Sequence, residues 1–386
     1  MRYNCTMKTY DYIIIGAGSA GCNTAYFLNA SGASVAIIDK EGICGSASGA
    51  AGAFLSPLPG KKNLYNSFVN DALNFSIDFY ESLQGIHIEK KGVLRVVNEN
   101  FEKNKLNNND ITHKHYTTQK LKSISKNFQN IDGYFYENAA IIEPLETSKI
   151  LLDGCDFYQK DIKELLHVDG YYTFEDIRAK NIILAQGVNT HLVDIPYITI
   201  SPIFGLRVDV KTSTEIPFNI HKSISVSTNK QNSTVSIGAT QQRHDSAEMS
   251  CDTTCDKCAF YVNTDEAQIN TLLSQADELI QLDDLEVTKV YKGARASIKS
   301  YFPVIGKIIN FKGSLQEHPS IKKGTKIPKE KLSYFPNMHI INALGSRGFV
   351  FGPYLAKLLT DSILKDKEIP LELSTEKLFY KVARKV

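Results

Sequence analysis

Gly16, Gly18 and Gly21 stand as G-x-G-x-x-G directly behind the β-branched run Tyr12-Ile13-Ile14-Ile15. Residues of this type at this spacing hold a phosphate. The first glycine permits a tight turn, the second lets a pyrophosphate approach the backbone, and the third lets the following helix pack on the strand. Asp39 lies 18 residues past Gly21. A carboxylate at that distance meets ribose hydroxyls and repels a 2′-phosphate. The chemistry expected is therefore dinucleotide binding, with NADP disfavoured and FAD and NAD both open. A second constellation is Cys251-x-x-x-Cys255-x-x-Cys258. Its spacing is that of an iron–sulfur motif, or of three zinc ligands with His244 as a fourth. It follows a run of strand-like sequence with no barrel pattern, so free thiols and no bound metal are expected.

The elements that must position these residues can be read from periodicity. Residues 12–15 form a strand buried on both faces, a helix runs from about Ser19 to Ala30, and 34–38 form the next strand. The tract 42–63 is small and poor in charge, a loop suited to lie against a ligand. An amphipathic helix is expected over 64–84 and a strand over 91–97. Helix and surface turns follow to about 130. Short strands fill 155–187, closing with the apolar Ile182–Ala185 and then Gly187. Residues 200–240 alternate polar and apolar, which predicts antiparallel strands with one solvated face. Residues 265–282 read as helix and 287–308 as strand. Residues 338–365 read as strand, glycine turn and long helix. The fold class expected is α/β: a discontinuous Rossmann-like domain over 1–85, 139–200 and 295–386, with an inserted antiparallel-sheet substrate domain over 86–138 and 201–294.

The 386 residues carry 44 Lys and Arg against 42 Asp and Glu, a net charge of +2. That balance argues against a nucleic-acid coat protein and against an acidic tail. The seven cysteines are odd in number and scattered, which excludes a secreted disulfide framework. No apolar run approaches the ~20 residues of a membrane span. The start, MRYNCTMK, is short and polar, unlike a signal peptide. A cytoplasmic location is expected.

The N-terminal fingerprint, the small-residue tract 45–56, "IILAQG", "GARASIKSYFPVIG" and the C-terminal glycine turn before a helix together resemble the D-amino-acid-oxidase-like FAD enzymes, glycine oxidase and sarcosine oxidase among them. "ASGAAGAFLSPL", "ALGSRGF" and "IPLELSTEKL" resemble one branch more closely, the C-terminal oxidoreductase domain of the bifunctional tRNA wobble-uridine modification enzyme MnmC. The resemblance implies non-covalent FAD. It also implies oxidative removal of the carboxymethyl group from carboxymethylaminomethyl-uridine at the tRNA wobble position, giving aminomethyl-uridine and glyoxylate. With the FAD motif starting at Gly16, any methylation is expected to need a separate methyltransferase. The alternatives are an oxidase of a free small amine such as glycine or sarcosine, and a tRNA-binding protein with a structural flavin.

The resemblance also carries residue roles. FAD contacts are expected from Gly16, Ala17, Gly18, Ser19, Ala20 and Gly21, from Asp39 and Lys40, and from Ser46, Ser48, Gly49 and Gly52. Ile162, Ala185 and Gly187 follow. The last group is Gly345, Ser346, Gly348 and Phe349, whose turn and helix dipole would stabilise negative charge on the reduced ring. Arg295 stands 11 residues before Gly306, the family's spacing for a substrate arginine, and a guanidinium grips a carboxylate with two parallel hydrogen bonds. Lys299 offers a second cation and Arg347 a contact to flavin or substrate. No acid–base residue is assigned; Tyr301 reads equally as core. Phosphate contacts to tRNA are expected among Lys61-Lys62, Lys90-Lys91, 321–331 and 377–386.

Overall fold

The computed structural model describes residues 7–97, 111–190, 192–230, 233–243 and 265–386. β-Branched residues place β1 (Lys8–Ile15) in the middle of a sheet, with Ile13 and Ile14 fully buried. Helix α1 (Ser19–Asn29) leads from it to β2 (Val35–Ile38), which pairs parallel with β1, Ile15 opposite Ile38. β3 (Asp156–Tyr158) adds parallel to the far side of β2. On the other side of β1 lies β4 (Ile177–Leu184), parallel, with Leu184 opposite Ile15. The second half of β4 pairs parallel with β6 (Tyr334–Asn342), and β5 (Val304–Ile309) runs antiparallel to β6. The chain thus moves outward from β1 on one side and later returns on the other. The crevice beyond the carboxyl ends of β1 and β4 is the topological switch point where such sheets bind ligands. Helix α2 (Gly348–Lys365) follows β6 and packs on α1.

Two compact units result. The first takes the described residues of Met1–Gly45, Ser148–Pro202 and Arg295–Val386, and the second those of Ser46–Thr147 and Ile203–Ala294. Residues 46–85 and 139–147 were expected in the nucleotide-binding domain and belong to the second unit instead. The reason is a small sheet in which Phe54–Leu55 and Ile88–Glu89 both pair antiparallel with Ala140–Ile142. The helix within this stretch, Leu64–Ser82, is capped by Asn63, whose side chain accepts from the N–H groups of Tyr65 and Asn66.

Among the described residues, the larger sheet of the second unit has nine strands. Ser201–Lys211 and Thr234–Gly238 form its antiparallel centre, and Asp265–Asp277 covers its apolar face through Leu272 and Ala276. Two expectations need correction. One pair, Asn219–His221 with Val93–Arg95, is parallel, because these strands come from distant parts of the chain and are not a hairpin. The polar face of Ser201–Lys211 is not fully solvated either, since Arg207 and Asp209 are both buried.

Candidate functional site

The glycine loop is held by its neighbours before any ligand is considered. Gly16 has φ +111°, and a Cβ there would stand 2.3 Å from the Ala185 carbonyl oxygen. A Cβ on Gly21 would stand 1.8 Å from the Gly16 carbonyl oxygen, so helix α1 can start this close to β1 only with glycine. Gly18 is extended (φ −79°, ψ −177°), a conformation open to any residue, so it is not the turn that requires it. No side chain caps α1 at Gly18. Its first-turn N–H groups and the positive end of its dipole are of the kind that can hold a phosphate.

Asp39 ties this loop to β2. Its carboxylate accepts from the Ala17 N–H at 2.7 Å and from the Glu41 N–H at 2.8 Å. Burial pushes its pKa up, and the two N–H bonds oppose that rise. The Ala17 carbonyl accepts from the Cys44 N–H at 3.0 Å and from the Cys22 thiol at 3.2 Å. Cys44 in turn donates to Ser148 Oγ at 3.0 Å, and burial pushes its pKa up to about 11. The backbone of Asp39 bonds to Tyr158 and Lys160, so the chain leading to the buried Ile162 runs beside it. Lys40 is exposed and lies 3.8 Å from Glu41.

The opposite wall comes from β4 and β6. The Ala185 N–H donates to the Ile15 carbonyl at 2.8 Å, and Asn342 Nδ2 donates to the Gly187 carbonyl at 2.9 Å. A 3-10 turn, Gly345–Arg347, then leads into α2. Ser19 Oγ donates to the Gly348 carbonyl at 2.8 Å. A Cβ on Gly352 would lie 2.6 Å from Ser19 Oγ and 2.8 Å from Asn23 Nδ2. Phe349 is buried, Ala20 and Arg347 are half-buried, and Ser346 is exposed. The first unit therefore brings together the 16–21 loop, Asp39, Ala185 with Gly187, and the Gly345–Phe349 turn. The donor set fits a dinucleotide: N–H groups for the pyrophosphate and a carboxylate for the ribose hydroxyls.

Arg295 lies near the end of the strand Glu286–Ser297, half-buried, and burial lowers its pKa. Lys299 is exposed. Tyr301 is 67 % exposed with φ +62°, which rules out the core reading. Gly306 has φ +131°, so its glycine is explained by the backbone of β5. In the second unit the Gly49 N–H closes a turn on the Ser46 carbonyl at 3.1 Å. Ser48 and Gly49 are half-buried and Ser46 is exposed. A Cβ on Gly52 would stand 2.5 Å from the Phe54 ring, so a side chain there would have to displace that ring.

Sequence reasoning missed Arg207 and Asp209. Arg207 Nε lies 3.3 Å from Asp209 Oδ1, and Ser236 Oγ donates to the same oxygen at 2.6 Å. The guanidinium stacks 3.9 Å from the centre of the Tyr291 ring and donates to the Ala51 carbonyl. It thereby fixes the small-residue tract that also carries Ser46 to Gly52. Two charges at i and i+2 on a strand read as its solvated face, so the sequence carried no signal that this pair is buried. His244, Cys251, Cys255 and Cys258 lie outside the described residues. Among the described residues no three His, Cys, Asp or Glu side chains are grouped to hold a metal, and no helix is long and apolar enough to cross a membrane.

The family model "FAD dependent oxidoreductase" matches residues 11–362. The tRNA 5-methylaminomethyl-2-thiouridine biosynthesis bifunctional protein MnmC of Leptospira interrogans is 24 % identical over 406 residues, covering 94 % of this chain and 58 % of the relative. The protein of the same name from Legionella pneumophila (strain Corby) is 21 % identical, covering 96 % of this chain and 56 % of the relative. The chain thus spans under two thirds of the length of these relatives. Among solved structures, glycine oxidase from Bacillus cereus superposes with a TM-score of 0.74 at 19 % identity, covering 93 % of this chain and 96 % of that one. Iminodiacetate oxidase from Chelativorans sp. BNC1 gives 0.69 at 17 % identity, covering 94 % and 97 %.

Proposed function

Given that the chain belongs to the FAD-dependent oxidoreductase family, we propose that it oxidises the carboxymethylaminomethyl group of a wobble uridine in tRNA, in the cytoplasm, leaving an aminomethyl group and glyoxylate. The observation that carries this reading is the likeness to the two bifunctional tRNA proteins along 94 % and 96 % of the chain.

FAD, when bound, takes up the hydride from the carbon between the amine and the carboxylate. The residues that would hold it are the 16–21 loop at its pyrophosphate, Asp39 at its ribose, and the Gly345–Phe349 turn. FAD is held without a covalent bond, a reading supported by the absence of any cysteine in residues 295–351. Arg295 grips the substrate carboxylate with its fork and fixes the reacting carbon, because hydride transfer is steep in geometry. Loss of hydride and a proton leaves a substrate imine, and water splits it into amine and aldehyde acid. A neutral amine needs no strong base, and Lys299 and Arg347 supply further positive charge toward substrate.

A second reading, oxidation of a free small amine, is favoured by the fold likeness to glycine oxidase. Both are tested by adding substrate to the yellow protein without oxygen. tRNA carrying the carboxymethylaminomethyl group should bleach the flavin, release glyoxylate and yield aminomethyl-uridine on nucleoside analysis. Bleaching by glycine or sarcosine with no response to the tRNA would replace the first reading with the second.

A further inference from the structure

Two segments far apart in sequence meet on the surface of the first unit. One is the 3-10 helix Pro319–Lys323 and the turn after it, and the other is the C-terminal helix Thr375–Ala383 with the residues beyond. Their junction is apolar below and polar above. Ile321, Phe379 and Ala383 are buried in one core, and Tyr380 Oη bonds both the N–H and the carbonyl of Ile327, at 3.2 and 3.1 Å. Gly324, left-handed at φ +92°, ends the short helix. A Cβ there would lie 3.9 Å from Arg384 Nε, which puts the guanidinium beside the turn that directly follows Lys322 and Lys323.

Cations outnumber acids at this junction, where Glu330 and Glu376 are the neighbouring carboxylates. Residues 318–331 contain five lysines and one acid, Glu330, and 375–386 contain three lysines, one arginine and one acid, Glu376. Lys329 is paired with Glu368 at 3.0 Å and Lys377 with Glu372. Lys322, Lys323, Lys326, Lys381, Arg384 and Lys385 are exposed, and none makes an ion pair with a described residue. Of the other basic pairs in the sequence, Lys90 is tied to Glu81 at 2.9 Å. In a chain of net charge +2, uncompensated cations gathered from two segments form a local field for a polyanion. Their spread along a ridge suits a phosphodiester backbone, which presents one charge per nucleotide, better than a single small anion.

We infer that this ridge, with Lys322, Lys323 and Arg384 at its centre, is the surface on which the tRNA backbone docks. The inference rests on the tRNA reading above. Phosphate contacts of this kind set orientation and give a salt-dependent affinity with no sequence preference.

The test measures tRNA binding against salt concentration for the FAD-loaded protein, the triple reversal Lys322→Glu, Lys323→Glu, Arg384→Glu, and a control reversal Lys120→Glu, Lys122→Glu in the other unit. The triple variant should bind at least about tenfold more weakly. Its log-affinity against log-salt line should be shallower by about two to three. Its FAD content and its oxidation of the free carboxymethylaminomethyl nucleoside should match the unaltered protein. The control should retain affinity and slope. An unaltered protein that binds tRNA, with a triple variant that binds it equally well at the same slope, overturns the ridge and leaves the tRNA reading standing. An unaltered protein that neither binds nor oxidises tRNA overturns the tRNA reading, and the ridge with it. Equal losses in triple and control variants would reduce the effect to net charge and overturn the ridge alone.

Discussion

Ser19 Oγ donates to the carbonyl of Gly348 at 2.8 Å, joining the first turn of α1 to the first residue of α2. These residues lie 329 positions apart. They set the two helices so close that Gly352 faces Ser19 and Asn23 with no room for a methyl group. Gly352→Ala should destabilise the protein by about 1–3 kcal/mol, the range for overpacking a core. In a Ser19→Ala background the penalty should be smaller, because one of the two clashing atoms is gone. Chemical denaturation of the four proteins checks this, and a Gly352→Ala protein as stable as its parent would refute the close approach.

Arg207 and Asp209 form a buried pair whose members depend on each other. Arg207→Met leaves the Asp209 carboxylate with Ser236 as its remaining side-chain partner and should cost about 3–5 kcal/mol. Arg207→Met combined with Asp209→Leu removes both charges and should recover much of that loss. Urea midpoints measured side by side would show it; equal losses in both variants would mean that the contact to Ala51 matters more than the pairing.

His339 sits buried on β6 opposite Lys307 of β5, and its Nδ1 has no hydrogen-bond partner among the described residues. Burial, helped by Lys307, pushes its pKa down to about 4 from 6.5. Between these values the unfolded chain binds a proton that the folded chain does not. Stability should therefore be fully present above about pH 6.5 and fall by roughly 3 kcal/mol as the pH drops to about 4. His339→Gln should flatten that part of the stability–pH curve. An unchanged slope in the variant would place the acid sensitivity in other groups.

Arg295→Met keeps much of the side-chain volume and removes the charged fork. Each lost hydrogen bond to a charged group is worth about 1.5–3 kcal/mol, so kcat/KM for the modified tRNA should fall about 10–100-fold or more. FAD content and melting temperature should hardly change. Steady-state kinetics decide it, and a rate equal to that of the parent would move the role to Lys299 or Arg347.

The nucleotide-binding half was legible because its demands are local. Gly16 must be glycine for its own φ, and Gly21 for an atom five residues away. Asp39 closes on Ala17 through chain that is contiguous in sequence. Arg207 was not legible. Alternation along a strand reads polar residues at i and i+2 as solvated, and the Tyr291 ring that covers this guanidinium lies 84 positions on. Gly352 was missed for a similar reason: its clash partner sits near the other end of the chain. The basic clusters at 321–331 and 377–386 could each be seen in the sequence. That they share one ridge depends on the Tyr380–Ile327 contact.

The Asp39 carboxylate already uses both oxygens on the backbone N–H groups of Ala17 and Glu41. The loop it clamps is therefore preorganised, and the entropy of ordering it is spent during folding, not at cofactor capture. The cofactor-free protein should keep its glycine loop in place and reload by simple second-order association, with no slow conformational phase. Substitutions that loosen the clamp, such as Asp39→Ala, should then lengthen reloading as well as weaken it, because the loop would have to find its shape at the moment of binding.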